Sequence, residues 1–151
     1  MRDEFLENAM NTYGNTVLRV AYSVLRNLHD AEDIFSDVFL SLYQYGNNFN
    51  DEHHIKAWLV KVATNKALNL KKSFYRNKNV MLHEGIEAPE QGTESEVLSA
   101  LEKLEPNDRV ILHLHYFEGY SFKEIAQALK INENSVRSKA MRAKEKMKDY
   151  L

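Results

Sequence analysis

Between Asp3 and Leu28, apolar residues return every three or four positions, at Leu6, Ala9, Tyr13, Val17, Val20, Ala21, Val24 and Leu28. That spacing lines one face of an α-helix. Asn27-Leu28-His29 interrupts the run, and Asp30 is placed to cap a second helix with a buried stripe of Ile34, Val38, Leu42 and Tyr45. YGNNFNDEHH (45–54) is Gly- and Asn-rich and reads as a loop. A third helix is expected from about Ile55 to Phe74, with Ile55, Leu59, Val62, Ala63, Ala67 and Leu70 inward and Trp58 at the edge of the stripe. Periodicity is lost over NKNVMLHEGIEAPEQGT (77–93), which marks a boundary between domains. Thr93 with Glu96 forms a capping-box pair that starts the next helix, and Pro106 opens another through Val110, Leu112 and Tyr116, stopped by Gly119. Ser121 with Glu124 is a second capping-box pair, opening a helix over 122–129, and Asn132 caps a last one reaching about Tyr150. The expected class is all-α: two small helical domains, 1–78 and 94–151, joined by an acidic linker over 79–93.

Composition narrows the chemistry. With 44% apolar residues the 151-residue chain can build packed cores, and 5 Gly and 2 Pro agree with helix. The chain has no cysteine, which excludes disulfides, thiolate metal sites and cysteine nucleophiles. No apolar run approaches the ~18 residues that span a bilayer, and MRDEFLENAM carries acids rather than an apolar block, so neither membrane insertion nor a signal peptide is expected. A cytoplasmic protein is the default. The net charge of −2 conceals a strong segregation. Residues 29–52 hold six acids and no Lys or Arg, 56–78 seven Lys/Arg and no acid, 84–108 eight acids and one Lys, and 122–148 eight Lys/Arg and three acids. Two polyanion-binding segments alternate with acidic ones.

SFKEIAQALKINENSVRSKAMRAKEK (121–146) is two short amphipathic stretches with a three-residue join, the plan of a helix-turn-helix. Ile125, Ala126 and Leu129 would pack the first helix across the second, Ile131 would plug the turn, and Val136 and Ala140 would anchor the last helix. Ser135, Arg137, Ser138, Lys139, Met141 and Arg142 would then face outward. Arg and Lys suit guanine edges and phosphates, and Ser bonds either. A merely solvated basic helix is the bland alternative. Lys130 occupies the turn position where such motifs often carry Gly. Upstream, Lys61, Asn65, Asn69, Lys72 and Arg76 share the outward face of the third helix, flanked by Thr64, Lys66 and Lys71. Cations there can track phosphates, and the surrounding Tyr45, Phe49, Trp58, Phe74 and Tyr75 could stack on bases. Taken singly, Trp58 suits the core better.

The second helix exposes Asp33, Ser36, Asp37 and Leu40 opposite its core stripe, a pattern that suits a protein partner. His29, His53, His54, His113 and His115 have no ligand spacing: adjacent His53-His54 cannot both face one ion from a helix. No nucleophile, base and orienter converge. Neither a cofactor nor a metal is expected, and the chain does not read as an enzyme.

DAEDIFSDVFLSLY (30–43), FNDEHHIKAWLVKVATNKALNLKK (49–72) and LEPNDRVILHLHYFEGYSFKEIAQALKINENSVRSKAMRAKEKM (104–147) together make the chain resemble an extracytoplasmic-function (ECF) sigma factor of the sigma-70 family, the small type with only the second and fourth conserved regions. The resemblance covers nearly the whole length. It implies a transcription initiation subunit that binds core RNA polymerase, through its clamp and flap, and promoter DNA, with an anti-sigma factor as a further partner. It also implies roles. Asp33, Ser36, Asp37 and Leu40 would grip the clamp helices. Phe49, Trp58, Lys61, Asn65, Lys66, Asn69 and Lys72 would read and melt the minus-ten element, holding a flipped base. Ser135, Arg137, Ser138, Lys139, Met141 and Arg142 would read the minus-thirty-five element. The acidic linker would thread polymerase channels otherwise holding nucleic acid. Four positions depart from the family pattern: Asn50-Asp51 replaces the usual Arg-Gly, Ser36 a common Gln, and Lys130 the turn Gly. The alternative is a stand-alone helix-turn-helix regulator using 1–78 to dimerise or to sense a ligand.

Overall fold

The computed structural model describes residues 2–76 and 99–150, with side chains for 3–74 and 99–149. The linker and the Thr93–Glu96 pair lie outside the described residues. Helices and turns account for the described chain, with no strand among those residues, and it divides into two compact units, residues 1–68 and 69–151.

In the first unit, helix α1 (Arg2–Leu25) and helix α2 (Leu28–Tyr45) form an antiparallel pair joined by Arg26 and Asn27. α1 stops three residues before the expected Leu28. Arg26 turns into the left-handed region at φ 52 while its N–H still reaches the Tyr22 carbonyl at 2.8 Å. Asn27, rather than the expected Asp30, caps α2: its Oδ1 accepts from the Asp30 N–H at 2.9 Å. Asp30 instead places a carboxylate in the first turn, where the helix dipole favours it. Leu28 is consequently exposed, not part of the buried stripe. The core comprises Ala9, Val17, Val20, Ala21, Val24 and Leu25 from α1 and Ala31, Ile34, Val38, Phe39 and Leu42 from α2. Each fully buried branched aliphatic adds roughly 1.5–3 kcal/mol. Close approach is set at Gly14, where a Cβ would lie 3.1 Å from the Phe35 ring.

Gly46, at φ 82, ends α2 with its N–H on the Leu42 carbonyl. Helix α3 (Glu52–Arg76) begins earlier than the expected Ile55, because Asp51 caps it: its Oδ1 accepts from the His54 N–H at 2.8 Å and its carbonyl from the Ile55 N–H at 3.2 Å. Ile55, Leu59, Val60, Ala63, Thr64 and Ala67 are buried. The inward face therefore includes Val60 and Thr64, and leaves the expected Val62 and Leu70 only half-buried. The Tyr13 hydroxyl donates to the Glu52 carboxylate, tying α1 to the start of α3.

The second unit contains α4 (Pro106–Leu112), running on into a π-helical turn His113–Phe117, then α5 (Phe122–Leu129) and α6 (Glu133–Tyr150). A short helical stretch over 99–102 precedes them. Buried Arg109 donates to the Leu104 carbonyl at 2.7 Å and the Glu102 carbonyl at 3.5 Å, satisfying backbone acceptors left where that stretch ends. Leu104, Leu112 and Ala143 form a cluster flanked by Leu101 and Met147. The π turn closes with the Glu118 N–H on the His113 carbonyl, five residues back. The wider turn carries Tyr116, expected to face inward, onto the surface and buries Leu114 completely.

Candidate nucleic-acid interface

The structure gathers the aromatics around the 46–51 loop into one cluster. Phe49 lies 5.3 Å from Tyr45, 5.8 Å from Trp58 and 5.0 Å from the His54 ring, with Phe5 stacked at 6.3 Å. Tyr45 and Trp58 meet at 5.1 Å. Tyr45 is an exposed wall of this cluster rather than a core residue, and Trp58 is half-buried in it. The loop behind Phe49 is pinned: the Asn50 N–H donates to His54 Nδ1 at 3.1 Å, and Asp51 caps α3. His54 therefore accepts at Nδ1, which fixes its neutral tautomer. The one sequence signal for these loop supports is Asp51 itself, an N-cap residue type immediately ahead of α3.

From this cluster α3 leads away carrying the expected cationic row. Lys61, Asn69 and Lys72 are exposed, and Asn65, Lys66 and Lys71 half-buried. Thr64 leaves the row: it is fully buried, and its Oγ1 has no hydrogen-bond partner among the described residues. On α2, Asp33, Ser36 and Asp37 are exposed and Leu40 is 56% exposed, opposite buried Ile34, Val38 and Leu42. An exposed leucine among carboxylates gains nothing from the unit's own core. Among the described residues no cluster of three or more His, Asp or Glu could hold a metal ion, and no helix is long and apolar enough to cross a membrane.

In the second unit the helix-turn-helix is built from caps. Ser121 Oγ accepts from the Glu124 N–H at 3.1 Å while Glu124 Oε1 accepts from the Ser121 N–H at 2.9 Å. α5 ends on Lys130 in the left-handed conformation, φ 59 and ψ 42. Asn132 Oδ1 then accepts from the Ser135 N–H at 2.8 Å and starts α6. Ile125, Ala126, Val136, Ala140 and Ala143 are buried. Leu129 is half-buried, and Ile131, expected to plug the turn, sits at the surface because the turn is closed by backbone bonds to the Ala126 carbonyl instead. Arg137, Ser138, Met141 and Arg142 are exposed on α6 opposite or beside buried Val136, Ala140 and Ala143, while Ser135 and Lys139 are half-buried at the flank of that buried face.

Behind α5, His113 Nε2 meets the Glu118 carboxylate at 2.9 Å, His115 Nδ1 bonds the Tyr120 carbonyl at 2.8 Å, and the His115 ring stacks on Phe122 at 4.2 Å. The two histidines of HLH thus brace the turn between α4 and α5. Burial raises the Tyr120 phenol from 10.0 to about 12, with the carboxylates of Glu124 and Glu118 adding to the rise.

Residues 9–77 match the family model described as Sigma-70 region 2, and residues 94–147 match Sigma-70, region 4. The chain belongs to the sigma-70 family. It is 27% identical to the ECF RNA polymerase sigma factor SigE of Mycolicibacterium smegmatis, covering 96% of this chain and 61% of that protein. Identity to the ECF sigma factor SigM of Bacillus subtilis is 24%, over 95% of this chain and 93% of the relative. The fold matches that of the sigma factor RpoE solved with the anti-sigma factor NepR from Bartonella quintana, at TM-score 0.80 and 17% identity, covering 99% and 97% of the two chains. It also matches CnrH solved with the cytosolic domain of CnrY, at TM-score 0.70 and 22% identity, covering 97% and 87%. With both conserved regions present in order, the sigma-70 chain is an alternative sigma factor of the ECF type.

Proposed function

We propose that this sigma factor divides its work among three faces. Asp33, Ser36, Asp37 and Leu40 on α2 seat on the clamp of core RNA polymerase, with the C-terminal unit on the flap. The Phe49–Trp58 cluster and the row Lys61, Asn65, Lys66, Asn69 and Lys72 capture the non-template strand of the minus-ten element. Stacking on aromatic rings offsets the base stacking lost when the duplex opens. Ser135, Arg137, Ser138, Lys139, Met141 and Arg142 on α6 read the minus-thirty-five duplex in its major groove. Region 2 spans 1–78 and region 4 spans 94–151, with the acidic segment 79–93 as a tether within polymerase. The protein is cytoplasmic, is not itself an enzyme, and is held inactive by an anti-sigma factor covering the α2–α3 faces.

The observation that carries this reading is the coexistence, on one chain of the family, of an exposed acidic face and two separate cationic helices. Two modest DNA contacts reach useful affinity only when a larger body holds them at the right spacing. A stand-alone regulator has no need of the acidic face. The test adds the purified chain to core polymerase and maps run-off transcripts genome-wide. Discrete new start sites sharing two spaced elements are expected. Failure to associate with core, together with tight binding to a duplex operator by the chain alone, would overturn the proposal.

A further inference from the structure

We infer that Phe122 and Glu133 are positioning residues for Arg137, holding its guanidinium ready to read a base edge; the inference rests on the proposed role of α6 as the minus-thirty-five reader. A surface arginine ordinarily samples many rotamers and must give up that freedom on binding. Arg137 is held from two sides. Its Nη2 donates to Glu133 Oε2 at 2.7 Å, one turn back on α6. Its Cζ lies over the Phe122 ring, 5.3 Å from the centroid, on α5.

Phe122 is itself anchored. It stacks on His115 with ring centroids 4.2 Å apart and planes 16° from parallel. A carbonyl only accepts, so the His115 bond to the Tyr120 carbonyl, 2.8 Å long, is donated by Nδ1–H and fixes that ring in turn. A continuous set of contacts therefore runs from the π turn through His115 and Phe122 to the reader. The guanidinium is planar and offers five N–H donors. One is taken by Glu133, and the others make no hydrogen bond among the described residues. The occupied edge and the ring contact restrict the directions in which the remaining donors can point, so they narrow which base edge Arg137 can satisfy.

A surface ion pair that only supports α6 would have a different signature: it would move stability and leave base preference alone. The experiment uses holoenzyme reconstituted from core polymerase and the full chain, transcribing a promoter library randomised across the upstream element. Arg137→Ala is expected to relax preference at one base pair. Phe122→Leu and Glu133→Gln should each relax preference at that same pair by about two- to fivefold, leave other positions unchanged, and add nothing in the Arg137→Ala background. In the free chain, the ring-current shift of the Arg137 side-chain protons should disappear in Phe122→Leu while the amide spectrum of α6 persists.

Relaxation spread evenly over the element, or undiminished in the Arg137→Ala background, would overturn the inference and leave α6 as the reader. Arg137 resonances already averaged in the unsubstituted chain would overturn it as well. If Arg137→Ala alone leaves every preference unchanged, the assignment of position 137 as a reader fails, and the positioning role falls with it.

Discussion

Lys130 closes α5 at φ 59 and ψ 42, a conformation that costs a residue with a Cβ roughly 1–2 kcal/mol and costs glycine almost nothing. Its side chain is exposed, and both backbone bonds that close the turn, from the Lys130 and Ile131 N–H groups to the Ala126 carbonyl, survive substitution. Lys130→Gly therefore relieves strain without deleting a contact. Glycine also gains freedom in the unfolded chain, worth about 0.4–1 kcal/mol against folding. The net expectation is stabilisation of the C-terminal unit by roughly 0.5–1 kcal/mol, or about 2–8 °C in its melting midpoint for a unit of that size. Two units need not unfold together, so the assay should follow Val136 and Ala140 amide resonances through a urea titration rather than a whole-chain signal. An unchanged or lowered midpoint for those residues would refute the strain argument. Lys130→Ala serves as the control: it removes the charge, retains the Cβ, and should not stabilise.

Other expectations test the faces separately. Asn65→Ala should slow promoter opening more than closed-complex formation, and unchanged permanganate reactivity at the start site would exclude strand capture by this residue. Leu40→Asp should weaken core-polymerase binding at least about tenfold, the scale of losing one well-packed interface side chain, while leaving the melting midpoint of the N-terminal unit unaltered because Leu40 is exposed; surface-immobilised core can measure the binding. Tyr120 gives an alkaline signature. Its folded-state value is about 12 against 10.0, so the unfolded chain ionises first. The contribution of the neutral phenol is whole below pH 10 and is lost as pH rises towards 12. Tyr120→Phe should flatten that slope in denaturation curves of the C-terminal unit.

Where the sequence carried redundant signals, the expectation and the structure coincide. Ser121 and Glu124 mark both halves of a capping box, and α5 runs over the residues they delimit. The acidic face of α2 was legible because its buried and exposed residues follow a strict helical period. Discrepancies arose where competing residues sit side by side. Asn27 and Asp30 can both cap a helix, and only the backbone turn at Arg26 decides between them. Val60 and Val62 are the same residue type flanking the stripe of Ile55, Leu59 and Ala63, and packing buries the first. The π turn has no sequence signature in HLHYF, so Tyr116 was placed by α-helical period onto the wrong face. Within the candidate interface, the Glu133–Arg137 pair could have been read from its four-residue spacing. The Phe122 contact could not, because it spans two helices whose packing angle is set by Ala126, Val136 and Ala140 together.

Asp51 has a consequence for engineering. Its carboxylate is committed to the His54 amide, and the neighbouring Asn50 amide to the His54 imidazole, so this loop's shape is set by bonds internal to the chain. Placing Arg-Gly between Phe49 and Glu52 would strip the cap from α3 and loosen the wall carrying Trp58. The loop is thus not an interchangeable cassette: a chimaera would need Asp51 and His54 retained, with substitutions confined to the side chain of Asn50.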